Sequence, residues 1–339
     1  MPKVLIVGDS RKMKGGVNTV IRIMEDSFLW DKYKMYWVEC QINSSTFMKV
    51  AYLIRGLFVG IIRLPFYQIV HFQTTPAGLR RLCLLFFFAI LLRKRIIIHL
   101  HVGNQLEHFQ KDKYFKYCCK RASRIITLGR KWMDYVPVRE KEKVVFLYNP
   151  AIPIQQPTPG EKYFLFAAYL DIIYKGYDTL IEGFAKVIKK HPDWRLVVCG
   201  TGEIDNLKSY VRKYGIEDYV DTPGWVEGTE KERYFKNCYA YVMTSLMEGL
   251  PMSILESMSY GKPIITTPVG CLPEFLTDNE SALIFDFKDA KGLSECMNRL
   301  IENNDLYNAL VQNEQRIIEY KFTRDKFLSK LDSIYQSIK

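Results

Sequence analysis

These 339 residues contain no C-x-x-C pair. The eight cysteines are scattered, and only Cys118 and Cys119 are neighbours. That spacing excludes a zinc finger and a disulfide scaffold, and it suits a reduced setting. No Asp-x-Asp metal motif occurs. The longest apolar run, Leu82–Leu92 (LCLLFFFAILL), has eleven residues, about half of what a roughly 30 Å hydrocarbon layer needs. The opening MPKVLIVGDS reads as a first strand and not as a basic-headed signal peptide, so a cytoplasmic location is expected. No nucleic-acid recognition motif, internal repeat or Pro/Gly/Ser-rich linker is present.

What is abundant is apolar and basic. Hydrophobic residues make up 48% and aromatics 14%, enough for buried sheets, and the length suits two domains. Net charge is +11, but residues 1–150 hold 26 Lys/Arg against 10 Asp/Glu while the remainder holds 22 against 27. A first half at +16 calls for an anionic partner, and an anionic membrane surface is expected rather than nucleic acid.

Strand and helix signals alternate along the chain. Lys3–Val7 is a continuous apolar run, as in a parallel strand buried on both faces. It leads to Gly15 and Gly16, which open a helix from about Val17 to Met24. Further signals place a strand at Met35–Val38, a helix at Phe47–Arg63, a strand at Ile69–Phe72 and one helix over Leu79–Leu92. The strand Arg95–His101 ends in His101-Val102-Gly103, with His99 as a second candidate for a ligand-facing histidine. Strands at Arg124–Leu128 and Val144–Tyr148 follow, and Asn149-Pro150 closes the first half. Pro153, Pro157 and Pro159 mark residues 150–160 as a hinge. In the second half, Tyr163–Ala168, Trp194–Cys199, Tyr219–Trp225 and Tyr239–Thr244 read as strands. Gly200-Thr201-Gly202 is expected to be a turn facing a phosphate or nucleoside.

The most informative stretch is Thr244–Glu274, TSLMEGLPMSILESMSYGKPIITTPVGCLPE. Pro251 suits a first helical turn, and Gly261 with Pro263 is a stop, so Glu248 falls in a loop and Glu256 in a short helix. The N–H groups of Met252 and Ser253 would then point out of the helix start, where an anion is favoured.

EGLPMSILE resembles the Glu-x7-Glu motif of retaining glycosyltransferases of the GT-B fold, in particular glycosyltransferase family 4. Ser245 before it and GKPIITTPVGCLPE after it agree. The resemblance implies an α/β protein of two doubly wound, Rossmann-like parallel-sheet domains facing a cleft. The expected ranges are 1–150 for an acceptor-side domain, 160–321 for a nucleotide-sugar domain, and 322–339 for a helix packing back on the first.

It also implies the chemistry, which is transfer of a sugar from a UDP- or GDP-linked donor to a saccharide hydroxyl, without a metal cofactor. A lipid-linked acceptor at the inner face of a membrane would serve surface polysaccharide or glycolipid assembly. His101, Lys175 and Glu248 would be catalytic. Gly15, Gly16, Tyr169, Gly200, Gly202, Met252, Ser253 and Glu256 would bind the donor. Two departures stand out. Tyr169 holds the place of an arginine beside the diphosphate, and Pro150 replaces a glycine. A nucleotide-sugar epimerase or hydrolase of the same fold, or a non-catalytic partner in a glycan-assembly complex, are the alternative readings. A two-carboxylate glycosidase fits less well, because both acids lie on one segment.

Overall fold

A computed structural model describes residues 1–13, 15–42, 44–101, 105–158 and 160–338. Lys14, Val102, Gly103, Pro159 and Lys339, all within the ranges read above, lie outside the described residues.

The chain forms two compact units, Met1–Pro150 with Arg324–Lys339, and Ala151–Thr323. The first holds a parallel sheet of β1 (Val4–Asp9), β2 (Tyr36–Gln41), β3 (Ile69–Thr74), β4 (Arg95–Leu100), β5 (Arg124–Thr127) and β6 (Val144–Phe146), in the order 2-1-3-4-5-6. The apolar runs that predict strands are buried on both faces, as parallel strands covered by helices must be. Val4, Ile6, Ile69, Ile97 and Ile126 line one core. Leu328, Leu331 and Tyr335 of the helix Arg324–Ser337 pack into it.

The second unit holds β7 (Tyr163–Leu170), β8 (Arg195–Gly202), β9 (Val220–Gly224), β10 (Ala240–Met243), β11 (Ile264–Thr266) and β12 (Leu283–Ile284), in the order 12-11-10-7-8-9. Its core joins Phe164, Phe166 and Val198 to Leu180, Phe184 and Leu293 of the covering helices. In both sheets the strand order reverses once, between β1 and β3 and between β7 and β10. Ligands of open parallel sheets sit beyond the strand ends at such reversals.

Two local expectations are corrected. Leu79–Leu92 is not one helix but parts of two, Pro76–Arg81 and Cys83–Leu91. Leu82 leaves the helical region at φ −95°, ψ 12°, and its N–H is shared between Gly78 O and Leu79 O at 3.2 Å each. Gly200 and Gly202 are not in a turn either, because β8 runs through them. They pair with Ala168 and Leu170 of β7. A Cβ on Gly200 would stand 1.9 Å from Ala168 O, and one on Gly202, whose φ is +115°, 2.3 Å from Leu170 O. Strand pairing alone therefore accounts for both glycines.

Candidate active site

In the second unit, the segments after β7 and β10 meet at the sheet reversal. Asp171 caps the short helix Ile172–Lys175, accepting from Ile173 N at 2.9 Å and Tyr174 N at 3.1 Å. This holds Lys175 at the helix end, and Gly176 follows at φ +60°. The loop after β10 is tied to that helix by Leu246 N donating to Tyr174 O at 2.8 Å and by Thr244 Oγ1 donating to Lys175 O at 2.6 Å. Lys175 Nζ then reaches Glu248 Oε1 in a close ion pair, and Ser245 Oγ donates to the same oxygen at 2.9 Å.

A third segment braces this loop. Thr267 Oγ1 donates to Ser245 O at 2.6 Å and Cys271 N to Gly249 O at 3.1 Å. Gly270, at φ +62°, passes so close that a Cβ would lie 2.3 Å from Gly249 O. The glycine of GCLPE thus lets the backbone cross the glutamate loop.

Glu256 sits in the helix Met252–Ser259, whose N-cap Pro251 offers no side-chain cap to the N–H groups of Met252 and Ser253. Its carboxylate is engaged by Lys231 Nζ, at 2.8 Å from Oε1 and 2.6 Å from Oε2. Lys231 comes from the helix Gly228–Asn237, whose GTEKERYFKN sequence alternates charges and does not single it out. Tyr241 is the other site residue that sequence reasoning missed. Its buried hydroxyl lies 2.8 Å from Ser253 Oγ and 3.1 Å from Ala167 O, tying the helix start to β7 and β10. Tyr169, on the last turnward part of β7, is 63% exposed. Glu203 follows Gly202 and accepts from the Tyr177 hydroxyl at 2.6 Å and Ile172 N at 3.0 Å, which together hold its carboxyl below the usual range.

In the first unit, Gly15 precedes the helix Gly16–Glu25 at φ +138° with no side-chain cap. His101 follows β4 and is half-buried, whereas His99 lies within β4 and is fully buried. The His101 Nε2 is 2.5 Å from Gln73 Oε1, so that nitrogen carries the proton. The rings of His99 and His101 are 4.3 Å apart, and His99 also stacks on His71 at 5.6 Å. His71 Nδ1 in turn lies 2.7 Å from the Tyr335 hydroxyl. Burial pushes His71 and His101 down to about 3 and His99 well below its ordinary value, so the row is neutral.

The structure thus brings Lys175 together with Glu248, and Ser253 with the helix that carries Glu256. Gly15, Gly16 and His101 belong to the other unit. Among the described residues, no three His, Cys, Asp or Glu side chains gather as a metal-binding group.

The family of glycosyl transferases group 1 matches residues 150–317. An uncharacterized glycosyltransferase of Methanocaldococcus jannaschii is 24% identical over 323 residues, 92% of this chain and 88% of that one. The lipopolysaccharide core biosynthesis glycosyltransferase LpsE of Rhizobium meliloti is 30% identical over 152 residues, so the alignment spans 44% of this chain and only 43% of the relative. The fold matches that of Anabaena Alr3699/HepE in complex with UDP at a TM-score of 0.80, with 17% identity over 99% of this chain and 100% of that one. Through residues 150–317, which carry the Lys175–Glu248 pair and Glu256, the chain belongs to the group 1 glycosyltransferases, and its two parallel sheets have the GT-B fold.

Proposed function

We propose that the chain moves a hexose from a UDP- or GDP-linked donor to a hydroxyl of a lipid-linked saccharide, with retention of the anomeric configuration, in surface polysaccharide or glycolipid assembly. The observation that carries this reading is the Lys175–Glu248 pair at the reversal of the second sheet. As the donor breaks, negative charge gathers on the leaving diphosphate. A cation fixed beside it lowers the barrier. Lys175 is that cation, and without donor its charge is stored against Glu248. An entering diphosphate takes over Lys175 and frees Glu248 to accept from the sugar hydroxyls.

The remaining assignments follow the same logic. Glu256 accepts from the ribose diol. The uncapped N–H groups of Met252 and Ser253 face the diphosphate, helped by the helix dipole. Tyr169 stands beside it with a hydroxyl in place of a charge, and Gly200 and Gly202 border the nucleoside. In the first unit, the Gly15 and Gly16 amides and His101 are assigned to the donor phosphate and the transferred sugar. Protein donors replace a metal in this scheme.

A peripheral position on the inner membrane face is part of the proposal. No helix among the described residues is long and apolar enough to cross a membrane. The helix Thr46–Arg63 instead exposes Phe47, Ile54, Phe58 and Ile62, with Arg55 and Arg63 beside them. An apolar, basic helix of this kind suits the interface of an anionic bilayer.

The test is a screen of UDP- and GDP-sugars with membrane-extracted acceptors, read by mass spectrometry, with the anomer of the product assigned by NMR. Transfer with retention, undiminished by EDTA, is the expected result. Release of free nucleotide without a glycosylated product would favour the hydrolase reading, and an inverted product would exclude the mechanism.

A further inference from the structure

The second unit carries a groove at the end of its sheet opposite Lys175 and Glu248. Gly160 stands shortly before β7 and Tyr239 immediately before β10, and both line the groove, whereas Lys175 follows β7 and Glu248 follows β10. The strands are parallel and β7 has eight residues, so about 25 Å separates the two ends. The groove, of about 620 Å³, lies between these strand entries and one face of the helix Asn304–Lys321. That volume is well inside the roughly 300–1,000 Å³ usual for small-molecule sites.

Three features give the groove a chemical character. First, the side-chain amides of Asn304, Asn308, Gln312 and Gln315 line it, at the three- and four-residue spacing that puts positions on one helix face. Gln315 donates to Gln155 O at 3.4 Å, and the other three amides form no hydrogen bond among the described residues. Second, none of the described residues lining the groove is charged, although the same helix carries Asp305, Arg316, Glu319 and Lys321. Third, one wall is aromatic and fixed. The Tyr307 ring lies 4.7 Å from that of Tyr239, which meets Trp194 edge-on at 4.7 Å and donates its hydroxyl to Leu300 O at 2.9 Å. A Cβ on Gly160 would stand 2.6 Å from Tyr239 Cα, so this glycine lets the chain entering β7 lie against the tyrosine.

We propose that this groove is a second, non-catalytic site that binds a neutral glycan chain. A side-chain amide donates and accepts through one rigid plane, which matches vicinal hydroxyls that are each donor and acceptor. Tyr239 and Tyr307 offer ring surface to the C–H face of a sugar, and the Tyr307 hydroxyl adds a polar tip. A charged ligand finds no counter-ion among the described lining residues. An extended peptide finds no free strand edge along a helix. The binding itself needs no donor and does not depend on the transferase reading. Its consequence does: a glycan held on the second unit stays with the enzyme between transfers, at a high local concentration of chain ends.

The experiment titrates the full chain, by calorimetry, with UDP and with short neutral oligomers of glucose, mannose, galactose and N-acetylglucosamine. Oligogalacturonate serves as the charged counterpart and a neutral Gly-Ser peptide as the non-sugar one. At least one neutral oligomer should saturate, with oligogalacturonate and the peptide both much weaker. Asn308→Ala and Gln312→Ala should each weaken that oligomer about two- to tenfold, the range for one neutral hydrogen bond. Asn308→Trp, which fills the groove from an exposed helix position, should abolish its binding. All three variants should keep the UDP affinity of the wild type, because the groove lies at the far end of the sheet from Lys175. Failure of every neutral oligomer to saturate, equal or tighter binding of oligogalacturonate or the peptide, or unchanged oligomer affinity in all three variants would overturn the site. Saturation by a neutral oligomer together with no binding of UDP would leave the groove standing and sink the donor reading instead.

Discussion

Lys231 clasps both carboxylate oxygens of Glu256, at 2.8 and 2.6 Å, across the 25 residues that separate them. Glu256 is therefore a paired carboxylate before any nucleotide arrives. In the proposed donor complex, the ribose diol meets a group that Lys231 already orients.

Glu256→Ala is expected to weaken UDP binding about ten- to a hundredfold, the range for losing one charge-assisted hydrogen bond. Lys231→Met should act differently: it leaves the carboxylate in place but frees it from its held position, so UDP binding should weaken by less than in Glu256→Ala. Calorimetry reads both effects, and unchanged UDP affinity in Glu256→Ala would remove the ribose assignment.

Glu248 shares its oxygen with Lys175 and Ser245. Glu248→Gln keeps the Ser245 contact but releases Lys175 for the diphosphate. UDP should bind at least as tightly as in the wild type, while transfer slows by about tenfold or more. A parallel loss of both would show that Glu248 serves the loop and not the sugar.

Tyr169 is 63% exposed on β7. Tyr169→Arg should place a cation beside the diphosphate and tighten donor binding by about two- to fivefold, a modest gain because the site is screened by solvent. Equal or lower affinity would give Tyr169 another role, such as packing near Tyr174.

Flotation with liposomes tests the membrane proposal. Binding to anionic vesicles should fall as salt is raised, and Arg55 and Arg63 replaced by Glu should weaken it, each basic residue near the surface being worth about 1 kcal/mol. Arg63 also packs 4.2 Å over the Tyr36 ring, so Phe58→Ser is the cleaner control for the apolar part. A protein that remains in the soluble fraction at low salt would remove the membrane and leave a soluble acceptor.

The buried imidazole row predicts an acid-sensitive fold. Neither nitrogen of His99 has a hydrogen-bond partner among the described residues. Its folded pKa lies below the unfolded value of 6.5, so above that pH its titration adds no pH dependence to stability. As pH falls below 6.5 the unfolded chain takes up a proton that the folded one refuses, and stability is lost at up to about 1.4 kcal/mol per pH unit for each such histidine. For His71 and His101 the loss continues toward about 3. In urea unfolding, the stability of His99→Leu relative to the wild type should therefore be greater at pH 5 than at pH 7.5. Equal pH slopes would mean that His99 is protonated in the fold.

The alternation of strands and helices, the loop position of Glu248 and the helical position of Glu256 were legible because they depend on local rules: apolar runs, a proline at a first turn, a glycine and a proline at a stop. The motif around Glu248 also carried the family resemblance. Other features depend on partners far away in sequence and needed the tertiary structure. Lys231 is one lysine in a mixed-charge helix until the sheet brings Glu256 to it. The glycines of β8 look like a turn until they are seen paired in the sheet against Ala168 and Leu170. His71 and Tyr335, 264 positions apart, are paired only because the last helix packs into the first core. Hydrophobic periodicity records which face of an element is buried, but not what lies against it. Contacts that join separate elements are decided when the sheets are assembled.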